Sequence, residues 1–232
     1  GLVDGRNAVC IPCRMGKTLI AGHWTKRLQP RVVIAIAPLK VSVENLRERL
    51  ACFLPGYAPL LVDSDAGGTT DEKEIEVFLE EHTAKEESVV VYSTFQSAED
   101  VLSRWEWDED TVVLVDEAHN VIGRDTLCEW IQGFRRCLAM SATFPEEVEE
   151  AIGIENKVVV PFSKGIEGGY IVDYTLWLPS LTKHEDGSTS VEGEIPVGFE
   201  AYERSMVLKA LYHAVCMLRT GSRRTIVYLG SQ

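Results

Sequence analysis

The sequence predicts an α/β fold in which a mostly parallel sheet carries helices on both faces. Three runs are nearly continuous in Val, Ile and Leu, as is typical of strands buried on both faces: 31–37, 88–92 and 111–115. Between the runs, apolar residues recur three and four positions apart, which is typical of helices, over 17–28, 41–53, 72–82 and 98–105. This alternation of strand and helix favours parallel strand pairing.

The pattern changes at Lys157. Residues 157–162 and 171–179 predict strands, with a glycine-rich stretch between them. Residues 181–198 are polar and rich in turn-forming residues, which is typical of a loop or linker. A helix is predicted over 199–218 and a strand over 225–229. We therefore predict three parts, namely an α/β domain over 1–165, a crossing and linker over 166–198, and the start of a second, incomplete α/β domain over 199–232.

Composition and charge describe a folded protein that does not coat nucleic acid. Of 232 residues, 45% are hydrophobic and 25% are charged, which suits one good core with an appendage. The net charge of −13 argues against binding nucleic acid through bulk electrostatics. It remains compatible with a motor that grips a few phosphates through amides, hydroxyls and isolated cations.

The sequence also carries signals about compartment. No apolar run approaches the roughly 18 residues of a membrane-spanning helix, and no signal-peptide pattern opens the chain. The six cysteines are scattered through apolar stretches, as expected for reduced thiols. Cys10 and Cys13 have zinc-like spacing, but no second pair matches them. We expect no membrane contact and a reducing intracellular location, the cytoplasm or the nucleus.

A phosphate-binding loop is predicted over Ile11–Thr18, between a short apolar run and a helix-like segment. The loop amides and the helix N-terminus attract phosphate oxygens. Lys17 adds positive charge at the β and γ phosphates, and the Thr18 hydroxyl supplies a ligand to Mg²⁺. The loop departs from the general pattern, because Ile11 and Arg14 stand where glycines are common. The residues predicted to bind the nucleotide are Cys13, Arg14, Met15, Gly16, Lys17 and Thr18.

An acidic box, Asp116–His119, directly follows the third predicted strand. Ligands bind at the carboxyl ends of parallel strands, and two adjacent carboxylates there are costly unless a cation is near. We predict that Asp116 partners Mg²⁺ and that Glu117 orients and deprotonates an attacking water. With Lys17, they form the predicted catalytic set, which uses ATP and Mg²⁺. The alternative interpretation is a solvated acidic turn.

These motifs together resemble those of superfamily 2 helicases and translocases. GKT at 16–18, DEAH at 116–119 and SAT at 141–143 stand in the order and spacing of motifs I, II and III. Residues 37–39 resemble motif Ia, and residues 93–97 resemble the segment that contacts a nucleic-acid strand.

The resemblance implies a RecA-like P-loop NTPase domain that uses ATP and Mg²⁺ to act on DNA or RNA. It implies that His119, Ser141 and Thr143 couple nucleotide state to domain movement. It also implies a set of residues along the nucleic-acid backbone: Pro38, Leu39, Lys40, Thr94 and Gln96. Residues 168–179 and 222–231 are similar to the crossing into the second motor domain and to that domain's first core strand in restriction-type and large DNA-virus helicases.

Some family features are missing, which leaves alternatives open. No glutamine precedes the phosphate loop to bind the adenine. The 232 residues also leave no room for motifs V and VI, which carry phosphate-stabilising arginines in the family. We therefore expect slow turnover by this chain and expect the rest of a second motor domain in the intact protein.

A nucleotide-dependent scaffold of a viral transcription or packaging machine is the second hypothesis, and it would place the chain in a virion or viral factory. A metabolic P-loop kinase is the third hypothesis, and it leaves the Ser-Ala-Thr segment unexplained.

Overall fold

The computed structural model describes residues 1–64 and 67–171, together with two short strands over 181–183 and 189–191. The chain forms two compact units, Gly1–Val172 and Asp173–Gln232. Seven strands belong to the first unit: β1 Arg6–Cys10, β2 Val32–Ala37, β3 Ala58–Val62, β4 Val89–Thr94, β5 Val112–Asp116, β6 Arg136–Ser141 and β7 Asn156–Val159. Its α-helices are α1 Lys17–Leu28, α2 Lys40–Leu50, α3 Glu72–Ala84, α4 Phe95–Asp100, α5 Asp125–Gln132, α6 Glu146–Ala151 and α7 Phe162–Glu167.

The first unit is built on one seven-stranded sheet in the order β3-β4-β2-β5-β6-β1-β7. Every strand pairing in this sheet is parallel. The predicted α/β class with a parallel sheet is therefore confirmed.

Helices cover both faces of the sheet, because side chains along each buried strand alternate between two cores. On β2, Ile34 and Ile36 belong to the core that includes residues of α3, α4, α5 and α6. Val33 and Ala35 belong to the other core, with residues of α1 and α2. The residues on both faces of β2 are fully buried, which explains why this strand is a continuous run of apolar residues.

The helix predicted over 98–105 differs from the observed one. Helix α4 begins at Phe95, because the Thr94 hydroxyl accepts a hydrogen bond from the Ser97 amide and caps the helix. It ends at Asp100, and a separate 3₁₀ turn spans Leu102–Arg104.

Strand β3 and helices α5, α6 and α7 of the first unit carry weaker sequence signals and were not predicted. Strand β7 ends at Val159, and α7 begins at Phe162, the last residue of the strand predicted over 157–162. Strand β3 is an edge strand and contains Pro59, which is tolerated there because one side of the strand needs no ladder hydrogen bonds. Helices α5 and α6 have eight and six residues, too short for the three-and-four spacing to repeat clearly.

The prediction of a loop or linker over 181–198 is wrong in part, because this segment of the second unit contains two strands. Strands β8 Leu181–Lys183 and β9 Thr189–Val191 pair antiparallel within it. Thr182, Thr189 and Val191 are β-branched and favour extended backbone, but the polar composition around them conceals that preference. The predicted helix over 199–218 and strand over 225–229 lie outside the described residues, as does 172–179. The predicted boundaries at 165 and 198 stay predictions.

Arg6 joins three elements at the amino-terminal edge of the sheet. Its side chain is 8% exposed and donates to the carbonyls of Ile131 and Gln132 at 3.1 Å and of Gly153 at 2.7 Å. It also donates to Phe134 and Ile152. These carbonyls lie at the carboxyl ends of α5 and α6, where helices leave acceptors unpaired and favour a cation. The guanidinium of Arg6 therefore links the carboxyl ends of both helices to β1.

No helix in the described part of the chain is both long and apolar enough to cross a membrane.

Replacing Arg6 with Met should lower the free energy of unfolding by about 3 kcal/mol, because several buried carbonyls lose their donor. Chemical denaturation followed by circular dichroism measures this change. Arg27→Met is the matched control, since Arg27 makes one exposed hydrogen bond to the Leu2 carbonyl and should cost no more than about 0.5 kcal/mol. Equal effects of the two substitutions would contradict the role assigned to Arg6.

Candidate nucleotide-binding site

Parallel register brings the loops after β1, β5 and β6 to one edge of the sheet. Cys10 at the end of β1 lies opposite Ser141 at the end of β6, and Asp116 at the end of β5 lies opposite Met140. The Ile11 amide donates to the Ser141 carbonyl at 3.0 Å, which extends this pairing beyond the strand. Segments far apart in the chain thus meet where parallel sheets place their ligands.

The predicted phosphate loop turns sharply before helix α1. Arg14 and Gly16 both have positive φ, 66° and 89°. Gly16 is the N-cap of α1 and offers no side-chain acceptor, so the first amides of the helix have no cap from it. A cavity of about 230 Å³ is lined by the predicted binding residues other than Met15 and by two carboxylates of the acidic box, Asp116 and Glu117. Free amides and a helix N-terminus beside a cavity suit an anionic ligand.

Lys17 and Glu117 form an ion pair across this cavity. The Nζ atom of Lys17 lies 3.1 Å from Oε1 of Glu117, and the side chains are 10% and 29% exposed. Glu117 itself has left-handed backbone geometry, with φ 49° and ψ 48°, which is uncommon for a residue with a side chain. This conformation turns the chain directly after β5 and places two consecutive carboxylates beside one lysine.

Asp116 is half-buried, and its pKa lies above the ordinary value of 3.8. Burial is the main cause, and the neighbouring charge of Glu117 adds to it. Lys17, the Glu117 amide and Arg49 act in the opposite direction without cancelling the rise. The negative charge of Asp116 is therefore under-compensated by the protein alone.

This chemistry fits a divalent cation. Thr18 and Asp116 line the same cavity and offer a hydroxyl and a carboxylate, both hard oxygen ligands. In the ranges 1–64 and 67–171, no three His, Cys, Asp or Glu side chains cluster closely enough to hold a metal ion. A Mg²⁺ ion at this cavity would thus take its other ligands from phosphate oxygens and water, as is usual for Mg²⁺.

A hydrogen-bonded chain connects the acidic box to the end of β6. Nδ1 of His119 lies 2.8 Å from Oγ of Ser141, which in turn accepts a hydrogen bond from the Thr143 amide at 3.3 Å. Nδ1 also lies 3.5 Å from Oε2 of Glu117. Of the three residues predicted to couple nucleotide state to movement, Ser141 therefore contacts the other two. Thr143 is exposed. Their coupling role stays a prediction.

The residues predicted to contact nucleic acid lie at or just after the carboxyl ends of β2 and β4, at this same edge. Leu39 is 62% exposed, and Nζ of Lys40 lies 2.9 Å from Oδ1 of Asp63. Gln96 is exposed and donates to Asp100 at 2.8 Å. Thr94 differs, because its side chain is buried and caps α4. Pro38 is half-buried. The contact role of these residues stays a prediction.

Helix α2 forms a wall of the cavity that the sequence motifs do not predict. Ser42, Asn45 and Arg49 line the cavity, and they are three and four residues apart. That spacing puts them on one face of α2. The polar face could have been found from this spacing, but only if the helix were already known to pack beside the phosphate loop.

Two kinds of comparison identify relatives of the first unit. Residues 3–151, more than half of the chain, match the family model of the DEAD/DEAH box helicases. No curated protein matches the chain.

Solved helicase structures have the same fold. A nuclease-deletion mutant of the Type ISP restriction-modification enzyme LlaGI, in complex with a DNA substrate mimic, has a TM-score of 0.58 and 16% identity over 71% of this chain. The Hef helicase domain from Pyrococcus furiosus has a TM-score of 0.51 and 22% identity over 68% of this chain. The chain spans 19% and 35% of these two structures. The suspected resemblance to superfamily 2 helicases and the RecA-like fold are confirmed.

Asp116→Asn should raise the thermal stability of the metal-free and nucleotide-free protein at pH 7. The raised pKa means that folding disfavours the charged carboxylate. The charge of Asp116 therefore destabilises the folded protein at pH values above the folded-state pKa. The gain should shrink as the pH falls through that value and vanish below the unfolded-state value, near 3.8.

Differential scanning fluorimetry over a pH series measures this gain. Asp108→Asn is the matched control, because Asp108 is exposed and lies outside this cavity, so its substitution should leave the melting temperature nearly unchanged. A fall in stability for Asp116→Asn at pH 7 would contradict the argument.

Proposed function

Because the chain belongs to the DEAD/DEAH box helicase family, we propose that it is the ATP-binding domain of a motor that hydrolyses ATP and moves on or unwinds nucleic acid. The observation that carries this proposal is the meeting of Lys17, Asp116 and Glu117 at one cavity beside the phosphate loop. Family membership supports an ATPase that acts on nucleic acid, and the cavity supplies the groups that this chemistry needs.

The phosphates of ATP are expected to bind between the phosphate loop and the wall formed by α2. Lys17 would then contact phosphate oxygens, which compete with Glu117 for its ammonium group. When Mg²⁺ is bound it neutralises charge on the phosphates, and Thr18 and Asp116 are the residues that would hold it. The raised pKa of Asp116 supports this assignment, because a nearby cation would offset the buried charge.

Glu117 is expected to act as the general base. Once Lys17 turns to the phosphates, the Glu117 carboxylate is free to accept a proton from a water molecule. The water oxygen forms a bond to the γ phosphorus while the bond to the β,γ-bridging oxygen breaks, which yields ADP and phosphate.

His119 is expected to report this change to the end of β6. Its Nδ1 atom lies 3.5 Å from Oε2 of Glu117 and 2.8 Å from Oγ of Ser141. A shift of the Glu117 carboxylate therefore reaches the Ser141–Thr143 segment through one side chain. In a motor, that segment would transmit nucleotide state to the second domain.

DNA is the favoured polymer, and RNA is the alternative. The LlaGI structure, which has this fold, was solved with a DNA substrate mimic. The exposed segment after β2 and the exposed Gln96 after β4 lie on the same edge as the nucleotide cavity, where a strand could respond to the nucleotide. A reducing intracellular location is compatible with this activity.

Glu117→Gln should leave binding of ATP and Mg²⁺ within about twofold, because the amide is isosteric, and lower hydrolysis by at least about 100-fold through loss of the base. Lys17→Ala should instead weaken nucleotide binding by on the order of 10- to 100-fold, since it removes charge-assisted bonds to phosphate. A fluorescent ATP analogue measures binding, and phosphate release measures turnover. Full hydrolysis by Glu117→Gln would remove Glu117 from the mechanism.

His119→Ala should reduce the stimulation of hydrolysis by nucleic acid while basal hydrolysis changes less. Steady-state rates of the intact protein, with and without single- and double-stranded DNA or RNA, separate the two quantities. His23→Ala is the matched control, because His23 is exposed on α1 and does not line the cavity. Unchanged stimulation in His119→Ala would leave the contact with Ser141 without a coupling role.

The same assay separates the motor from the nucleotide-dependent scaffold. Stimulation by nucleic acid together with strand displacement or translocation identifies a motor and its preferred polymer. ATP binding without any stimulation by nucleic acid would favour the scaffold. Slow turnover by the 232-residue chain stays a prediction, and steady hydrolysis at the rate of the intact protein would contradict it.

A further inference from the structure

A second cavity, of about 680 Å³, lies at the amino-terminal edge of the sheet. Its lining comes from segments that precede strands, including Trp105, Trp107, Asp108 and Glu109 before β5 and Glu155 before β7. The phosphate loop and the acidic box follow strands, so they lie at the opposite edge. The volume falls within the range of roughly 300–1,000 Å³ that is usual for ligand pockets.

Three tryptophans line this cavity: Trp105, Trp107 and Trp130. All three are half-buried and pack against the same core as α3 to α6, so each ring is anchored on one side. Trp107 is fixed further by a hydrogen bond from its indole N–H to the Leu102 carbonyl at 3.1 Å. Trp130 packs edge-on against Phe134 with ring centroids 5.0 Å apart. The rings therefore form a preorganised aromatic wall.

The charges around this wall are predominantly negative. Arg6 is occupied by backbone carbonyls, and Arg135 is paired with Asp4 at 3.1 Å. Within the described ranges, Asp108, Glu109 and Glu155 take part in no ion pair. Three carboxylates without an ion-pair partner thus line the same cavity as three indole rings.

We propose that this cavity binds an arginine side chain of a partner protein. An indole face attracts a cation, and a guanidinium can stack on the ring while its N–H groups bind carboxylates. Nucleic-acid bases also stack on tryptophan, but the unpaired carboxylates repel a phosphate backbone. The cavity would tether a partner without covering the opposite edge, where the nucleotide is proposed to bind.

The test is a titration of the ¹⁵N-labelled chain with a capped peptide that carries two arginines between glycines. The counterpart peptide has glutamines in place of the arginines. Indole N–H signals report each tryptophan separately, and Trp24 is an internal reference because it lies outside this cavity and bonds to the Val3 carbonyl. We expect the arginine peptide to shift the signals of Trp105, Trp107 and Trp130 but not that of Trp24, and the glutamine peptide to shift none.

Charge variants test the carboxylates. Glu109→Gln and Glu155→Gln should each weaken binding of the arginine peptide by about 3- to 10-fold. Glu106→Gln is the matched control, because Glu106 is exposed in the same segment and does not line the cavity, and it should leave affinity unchanged. These outcomes do not depend on nucleotide binding, so failure here is distinguishable from failure of the ATPase assignment.

Four results would overturn the proposal. The first is no shift of the three indole signals at millimolar arginine peptide, and the second is an equal shift with the glutamine peptide. The third is an equal loss of affinity in Glu106→Gln, which would indicate general electrostatics. The fourth is a shift of the same signals by a single-stranded oligonucleotide, which would make the cavity a nucleic-acid site.

Discussion

The parallel pairing of β5, β6 and β1 is the constraint on which the rest of the structure depends. Because these neighbours run in one direction, the turns that follow them meet at a single edge. A slip of one residue in this register would reverse the side chains of a strand between the two cores. The buried residues of both faces thus hold the register, and the register holds Lys17 beside Glu117 and His119 beside Ser141.

The nucleotide site is assembled against local preference. Arg14 and Glu117 have left-handed backbone conformations that residues with side chains seldom adopt, and the charge of Asp116 is disfavoured by burial. These unfavourable conformations persist because the surrounding structure fixes the geometry of the site. That structure consists of the strand ends and the packed helices α1 and α2. The charge of Asp116 is only partly compensated, and the amides of the phosphate loop attract anions. The site therefore suits a cation and an anion together, as in a metal-bound nucleotide.

The two edges of the sheet have different chemistry for a topological reason. The carboxyl edge collects helix N-termini and the turns after strands, which favours anions. The amino edge collects the carboxyl ends of α5 and α6, whose carbonyls are satisfied by Arg6, and it leaves acidic turns before β5 and β7. One edge therefore suits phosphate, and the other suits a cationic side chain, without either interfering with the other.

The sequence by itself determined the elements and chemistry that depend on neighbours along the chain. Runs of β-branched residues predicted β2, β4 and β5, and the segments at Gly16–Thr18 and Asp116–His119 identified the groups that suit nucleotide chemistry. The tertiary structure decided which distant groups meet: Lys17 with Glu117, 100 residues apart, the polar face of α2, and the tryptophan cavity. Periodicity records how a segment is buried, whereas contacts between segments follow from strand order and register, which no local pattern contains.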